Sequence, residues 1–214
     1  MPELAPVIKI FISMRHKFVT FEGVEGCGKS TQSKLLFNSL TQKNISATLT
    51  REPGGTKASE AIRGILLSDD FDALEGKTET FLNFASRIEH VEKLIKPKIA
   101  DGGVVICDRF FDSTIAYQGY GFGGDVLEIK ALNDIAIGGF SPDITFLIDV
   151  DVEKSFARIG ARKSNNRYER LDLDFHKRVR DGFLQIAKNN NRVVVIDGAK
   201  SIEEIAHEIL ELVI

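Results

Sequence analysis

The residue types most ready for chemistry lie in Gly23-Val-Glu-Gly-Cys-Gly-Lys-Ser-Thr31, directly behind the apolar run Phe18 to Glu22. A polyphosphate is held most readily by backbone N–H groups curled round it at a helix N-terminus, where the dipole also favours anions. Glycines permit that curl. Lys29 would reach the terminal phosphates and the Ser30 hydroxyl would ligate Mg2+, so the G-x-x-x-x-G-K-S spacing predicts a nucleoside-triphosphate site. The bland alternative is a surface turn. It is disfavoured because an apolar strand precedes the motif and a helical run follows it, Thr31 to Lys43, with Leu35, Leu36 and Leu40 on one face. The ATP-binding stretch is therefore read as Gly23, Val24, Glu25, Gly26, Cys27, Gly28, Lys29, Ser30 and Thr31.

A second group of such residues follows Val104-Val-Ile-Cys107. There Asp108 can hold Mg2+ or its water ligands and Arg109 can meet a second anion, although a strand-terminal Asp-Arg also serves as a structural ion pair. The next residues favour the functional reading: Thr114, Tyr117 and Gln118 stand at i, i+3 and i+4 of a helix turn, as reading groups for a flat polar ligand. Arg51-Glu-Pro-Gly-Gly-Thr56 forms a tight loop that either offers amides and a guanidinium to an anion or simply connects two elements. From Arg158 to Arg170 the chain is basic, small and polar, with Gly160 and Ser164 to Asn166 as hinges, a composition suited to a lid over phosphates. The phosphate loop has no arginine of its own, so Arg162 and Arg167 are the candidates for a cation that stabilises phosphoryl transfer.

Positioning these groups takes a scaffold, and its elements can be read off. Short β-branched or apolar runs predict strands at Phe18 to Glu22, Ala47 to Arg51, Val104 to Asp108, Ile144 to Asp149 and Val193 to Asp197. Helical runs separate them: Thr31 to Lys43, Ala58 to Leu67, Lys77 to Ala100, Ser113 to Gly119, Val126 to Gly138, Val152 to Ile159, Leu171 to Lys188 and Ile202 to Val213. The alternation predicts an α/β fold, a parallel sheet with helices on both faces and ligands at the carboxyl ends of its strands. Glu22, Arg51, Asp108 and Asp149 mark that edge as the chemical one. In the long third helix Phe81, Phe84, Ala85, Ile88, Val91 and Ile95 keep helical spacing, which leaves Asn83 and Arg87 together on another face.

With 214 residues, 43% hydrophobic and 28% charged, and 18 Gly against 5 Pro, the chain suits one compact domain. Residues 1–16 read as an N-terminal extension, and residues 17–214 as a single domain with a lid at about 160–170. A net charge of −3 argues against general nucleic-acid binding, and no apolar run approaches the length of a membrane span. Cys27 and Cys107 have no metal-ligand spacing and suit a reducing compartment, hence the cytoplasm. The four histidines are scattered, and no chemistry is assigned to them.

Taken in order, Phe21-Glu-Gly-Val-Glu-Gly-Cys-Gly-Lys-Ser-Thr31, Arg51-Glu-Pro-Gly-Gly-Thr56, Asp108-Arg-Phe-Phe-Asp-Ser-Thr-Ile-Ala-Tyr-Gln-Gly119 and Asn166-Arg-Tyr-Glu169 resemble the thymidylate kinase family. The arginine-free phosphate loop with a basic lid resembles its bacterial subtype. The resemblance implies a three-layer P-loop NTPase fold of the nucleoside-monophosphate kinase type, with a five-stranded parallel sheet and a lid. It implies transfer of the γ-phosphate of ATP to dTMP with Mg2+, and a homodimer. Carried over by position, it implies that Glu25 meets the deoxyribose 3′-hydroxyl and that Arg109, helped by Arg51, holds the dTMP phosphate. Arg87 would bond thymine O4, Thr114 and Gln118 would read the base edge, and Tyr117 would crowd the place of a 2′-hydroxyl. Two positions depart from the pattern: Asn83 stands where a base-stacking Phe is usual, so that role passes to Phe84, and Asn166 stands where Asp is common. A nucleoside kinase of the same architecture and a nucleotide-dependent switch are the rival readings. The chain has no Asn-Lys-x-Asp guanine-reading motif, which weakens the second.

Overall fold

The computed structural model describes residues 16–68, 74–160 and 167–214. The N-terminal extension short of His16, and Arg162 with the adjoining part of the lid, lie outside the described residues.

Five parallel strands, β1 Phe18–Glu22, β2 Ala47–Arg51, β3 Val104–Asp108, β4 Ile144–Asp149 and β5 Val193–Asp197, form one sheet in the order β2-β3-β1-β4-β5. β1 is buried along its whole length, as a central strand covered on both faces must be, and its sequence is accordingly a run rather than an alternation of apolar residues. The edge strands β2 and β5 are only partly buried.

Side chains of successive residues leave the sheet on opposite faces. On one face Val19, Phe21, Val104 and Ile106 pack with Leu36 and Leu40 of α1 (Lys29–Gln42) and Ile205 and Ile209 of α9 (Ile202–Val213). On the other, Phe18, Val105 and Cys107 pack with Val91, Ile95 and Ile137. Full burial of each such side chain stabilises by about 1.5–3 kcal/mol. The remaining helices are α2 (Lys57–Leu67), α3 (Gly76–His90), α4 (Lys96–Ala100), α5 (Phe111–Thr114), α6 (Val126–Ile137), α7 (Val152–Gly160) and α8 (Leu173–Lys188), with a 3-10 turn at Arg167–Arg170. α7 runs through Gly160, so the stretch expected as a basic loop begins as helix. α3 passes into α4 through a π turn, Val91–Ile95, and α5 continues as a π turn, Ile115–Gly121. Such wide turns hold one extra residue and recur at functional sites. Among the described residues no helix is long and apolar enough to cross a membrane.

Candidate active site

Above the carboxyl ends of β1, β2 and β3 lies a cavity of about 400 Å3. Glu25, Gly26, Gly28, Lys29, Ser30, Thr31, Arg51, Arg87, Asp108, Arg109, Thr114, Tyr117 and Gln118 line it together, although they come from five separate segments. Val24 and Cys27 instead turn their side chains into the core, leaving the loop only their backbone to offer. Asp149 also lies away from the cavity, held by the fork of Arg180 at 2.7 and 2.8 Å.

The phosphate loop leaves β1 at Gly23, whose φ is +138°. A Cβ there would stand 2.6 Å from the Ile148 carbonyl oxygen, so only glycine fits between the loop and β4. Lys29 is buried, and its ammonium donates to the carbonyls of Gly23 (3.0 Å) and Val24 (2.8 Å). The Ser30 hydroxyl donates to the Asp108 carboxylate, so α1 and β3 bring two hard oxygen donors together. No group of three or more His, Cys, Asp or Glu side chains gathers among the described residues. That pair suits Mg2+, which keeps several waters and takes its other ligands from phosphates.

Arg109 adopts a left-handed φ of +73°, unusual for a side-chain-bearing residue, and its backbone N–H donates to Phe21 O, extending the β1–β3 ladder. One guanidinium nitrogen donates to Gly23 O (3.2 Å) and Ser113 Oγ (3.0 Å), the other to Glu25 Oε1 (2.8 Å) and Tyr117 Oη (3.1 Å). Glu22, at the end of β1, holds the loop beneath: its carboxylate accepts from the N–H groups of Phe110 (2.7 Å) and Ser113 (3.3 Å) and from the Ser113 hydroxyl (2.6 Å). Burial, then the charge of Asp112, push the Glu22 carboxyl up to about 7. Glu25 goes the other way. Burial opposes its charge, but Arg109 and Lys29 outweigh that and lower its carboxyl to about 2.

Arg51 pairs with Glu60 at 2.9 Å and lines the cavity beside Arg63, which donates to Pro53 O at 2.9 Å. Burial, then repulsion from Arg51, hold the Arg63 guanidinium below its usual pKa. This crowding of cations is the signature of a site built for an anion. Sequence reasoning missed Arg63, which appears there as one basic residue on an amphipathic helix.

Arg87 is 2% exposed. Its Nε donates to Glu52 Oε2 (2.8 Å) and its Nη2 to Thr114 Oγ1 (2.9 Å), while Nη1 is buried with no partner among the described residues. Glu52 also bonds His90 (3.1 Å), whose other ring nitrogen meets Thr50 Oγ1 at 2.7 Å. Gly55, with φ +95°, lets the loop after β2 pass against this histidine, since a Cβ there would come within 2.5 Å of the ring. Glu52 and His90 were not foreseen, because Glu52 lies far from Arg87 along the chain, and His90, on α3 itself, gains its place only through the equally distant Glu52 and Thr50.

The expected stacking role of Phe84 is corrected. Asn83 lines the cavity with Arg87 one helical turn on, whereas Phe84, a further 100° round α3, is buried against Ile115 and Ile129. Its ring and that of Phe110 lie 5.1 and 5.4 Å from the Arg87 guanidinium carbon, so Phe84 supports the arginine. The apolar lining comes from Pro53, Leu66, Leu67 and Phe110. Arg167 stacks on Tyr168 with its guanidinium carbon 4.9 Å from the ring and pairs with the buried Glu79, and Tyr168 and Glu169 reach the cavity wall. Both cysteines are buried, and burial pushes the Cys107 thiol well up, so it stays protonated.

A family model described as thymidylate kinase matches residues 21–209. A curated thymidylate kinase of Trichodesmium erythraeum is 43% identical over 212 residues, covering 92% of this chain and 94% of its own. One from Geotalea daltonii is 45% identical over 195 residues, covering 87% and 91%. The crystal structure of thymidylate kinase from Ehrlichia chaffeensis superposes with a TM-score of 0.76 at 42% identity, covering 91% of this chain and 96% of that one.

Proposed function

The chain belongs to the thymidylate kinase family and transfers the γ-phosphoryl group of ATP to dTMP, and from that premise we propose which of its residues carry out the transfer. The observation that supports the assignment best is that Arg87, which lines one cavity with the phosphate-loop Lys29 and with Arg109, keeps a buried Nη1 with no partner among the described residues. A buried donor without a partner is costly, and thymine O4 satisfies it.

ATP lies on residues 23–31, and Lys29 exchanges its two carbonyl acceptors for phosphate oxygens. Ser30 and Asp108 would hold Mg2+, which would supply neutralisation of the phosphate charge. The dTMP phosphate meets Arg109, Arg51 and Arg63. A phosphate monoester has its second pKa near about 6, so the acceptor oxygen is mostly ionised at neutral pH and needs no general base. What opposes the reaction is repulsion between two polyanions, about 4 kcal/mol for unit charges at about 4 Å and an effective dielectric near 20. The fixed arginines answer it, and Arg162 and Arg167 supply the transition-state cation from the lid, Arg167 after leaving Glu79. Arg87, Thr114 and Gln118 read the base, Tyr117 fills the space of a 2′-hydroxyl, and Glu25 meets the 3′-hydroxyl.

A homodimer fits the exposed apolar side chains of one layer: Ile65 on α2, Phe81 and Ile88 on α3, and Leu127 and Ile135 on α6, the last two 76% and 82% exposed. Buried free cysteines suit a cytoplasmic setting. A coupled ADP-release assay over nucleosides and nucleotides tests the function: dTMP turns over far faster than dCMP or dGMP, and equal rates on all three contradict the base pocket. In the same assay, Arg162→Ala and Arg167→Ala are each expected to lower kcat well over tenfold. Changes within about threefold in both contradict the lid assignment.

A further inference from the structure

Glu79, on α3, takes no part in the chemistry above, yet it is 2% exposed and is approached on every side by donors. One oxygen is paired with Arg167; the other accepts from the Tyr168 hydroxyl at 2.9 Å and from Gln118 Nε2 at 3.2 Å. The Gln118 amide bonds Tyr168 as well. An ionised carboxylate only accepts hydrogen bonds, whereas an amide has a donating and an accepting end that differ little in shape. The partner therefore decides the orientation: beside Glu79 the amide must present its nitrogen, which leaves its carbonyl oxygen as the group Gln118 offers to the cavity it lines.

We propose that Glu79 is a specificity-determining positioning residue, which fixes the Gln118 amide so that the pocket faces thymine with an acceptor beside the donor of Arg87. The inference rests on the reading of this cavity as the dTMP site. Thymine carries O4 next to N3–H, an acceptor beside a donor; cytosine carries an amino group next to a bare N3, the reverse. Arg87 Nη1 and the Gln118 oxygen match the first order and oppose the second at both atoms. Were the amide free to turn, its nitrogen could meet cytosine N3, and half of the discrimination would be lost.

The test is the ratio of kcat/KM for dTMP to that for dCMP. Glu79→Gln keeps the shape of the side chain but can donate as well as accept, so it no longer dictates which end of Gln118 faces the ligand. The ratio is expected to fall about tenfold to a hundredfold, the usual consequence of a mismatched buried hydrogen bond. A ratio within about threefold of wild type overturns the inference. The double variant Glu79→Gln with Gln118→Glu restores an acceptor-only group towards N3–H, held by a donor at position 79, and is expected to recover the dTMP preference. It also serves where Glu79→Gln alone does not fold; a folded double variant without the preference overturns the inference. Arg167→Met removes the charged partner of Glu79 while leaving the Gln118 and Tyr168 bonds, and its ratio is expected to stay within about threefold even though kcat falls. A loss of preference equal to that of Glu79→Gln makes the effect one of the lid and overturns the inference. A wild-type enzyme that turns over dCMP as well as dTMP removes the pocket assignment itself, which distinguishes that failure from failure of Glu79 alone.

Discussion

Arg87 is useful to the site because other side chains have already fixed it. Glu52 takes its Nε, Thr114 takes Nη2, and Phe84 and Phe110 flank the plane, so one donor is left for a ligand. Removing one partner of a buried ion pair costs about 3–5 kcal/mol, since the other charge is stranded. Glu52→Ala is therefore expected to lower stability by that amount in urea unfolding. The milder Glu52→Gln should raise KM for dTMP while leaving KM for ATP nearly unchanged. Glu22 gives a pH dependence of known sign. Its folded carboxyl titrates at about 7 against an ordinary 4.5, so the folded state binds the extra proton between those values. The stability this group contributes is full below about pH 4.5 and is lost as pH rises through 7, a fall on the order of 3 kcal/mol. Urea midpoints of wild type and Glu22→Gln measured from pH 4.5 to 8 should show the slope in the first and a flatter line in the second.

The strands were legible in the sequence because each is a short apolar or β-branched run closed by a charged residue or a turn, and all five have the bounds expected. The helices were legible to within a few residues for a similar reason, their apolar spacing. What escaped was geometry that no local pattern encodes. The π turn at Ile115–Gly121 carries Tyr117 and Gln118 to the cavity on a wider turn than the α-helix assumed. The phase of α3 turns Asn83 to the cavity and Phe84 to the core, as the apolar spacing implied, so it was the resemblance and not the spacing that assigned Phe84 to the base. Glu52, His90 and Glu79 act through partners many residues away, and only the folded chain brings them together. The exposed apolar side chains of α2, α3 and α6 make a prediction about these elements as a layer: wild type is expected to sediment as a dimer in analytical ultracentrifugation, and Phe81→Glu with Ile135→Glu as a folded monomer. Unchanged sedimentation would contradict the proposed face.

Taken together, the molecule is slightly acidic, −3 in formal charge, yet gathers Lys29, Arg51, Arg63, Arg87 and Arg109 round one cavity at the carboxyl edge of its sheet. The strand order explains how. β1 lies between β3 and β4, so the phosphate loop after β1 and the Asp108-Arg109 pair after β3 emerge side by side, with the loop after β2 next to them. Arg109 is held by Glu25 and Arg87 by Glu52 in sheltered pairs, Arg51 by Glu60 in a more exposed one, and Lys29 and Arg63 by backbone carbonyls, which keeps the cations in place before any ligand arrives. The central claim is that this cavity holds dTMP with its phosphate on the arginines and its base against α3 and the turn that follows α5. A crystal structure with dTMP bound tests it most directly. The expected result is phosphate oxygens within hydrogen-bonding distance of Arg109 and thymine O4 on Arg87 Nη1; a phosphate away from Arg109, or a base that leaves Nη1 of Arg87 without a partner, would contradict it.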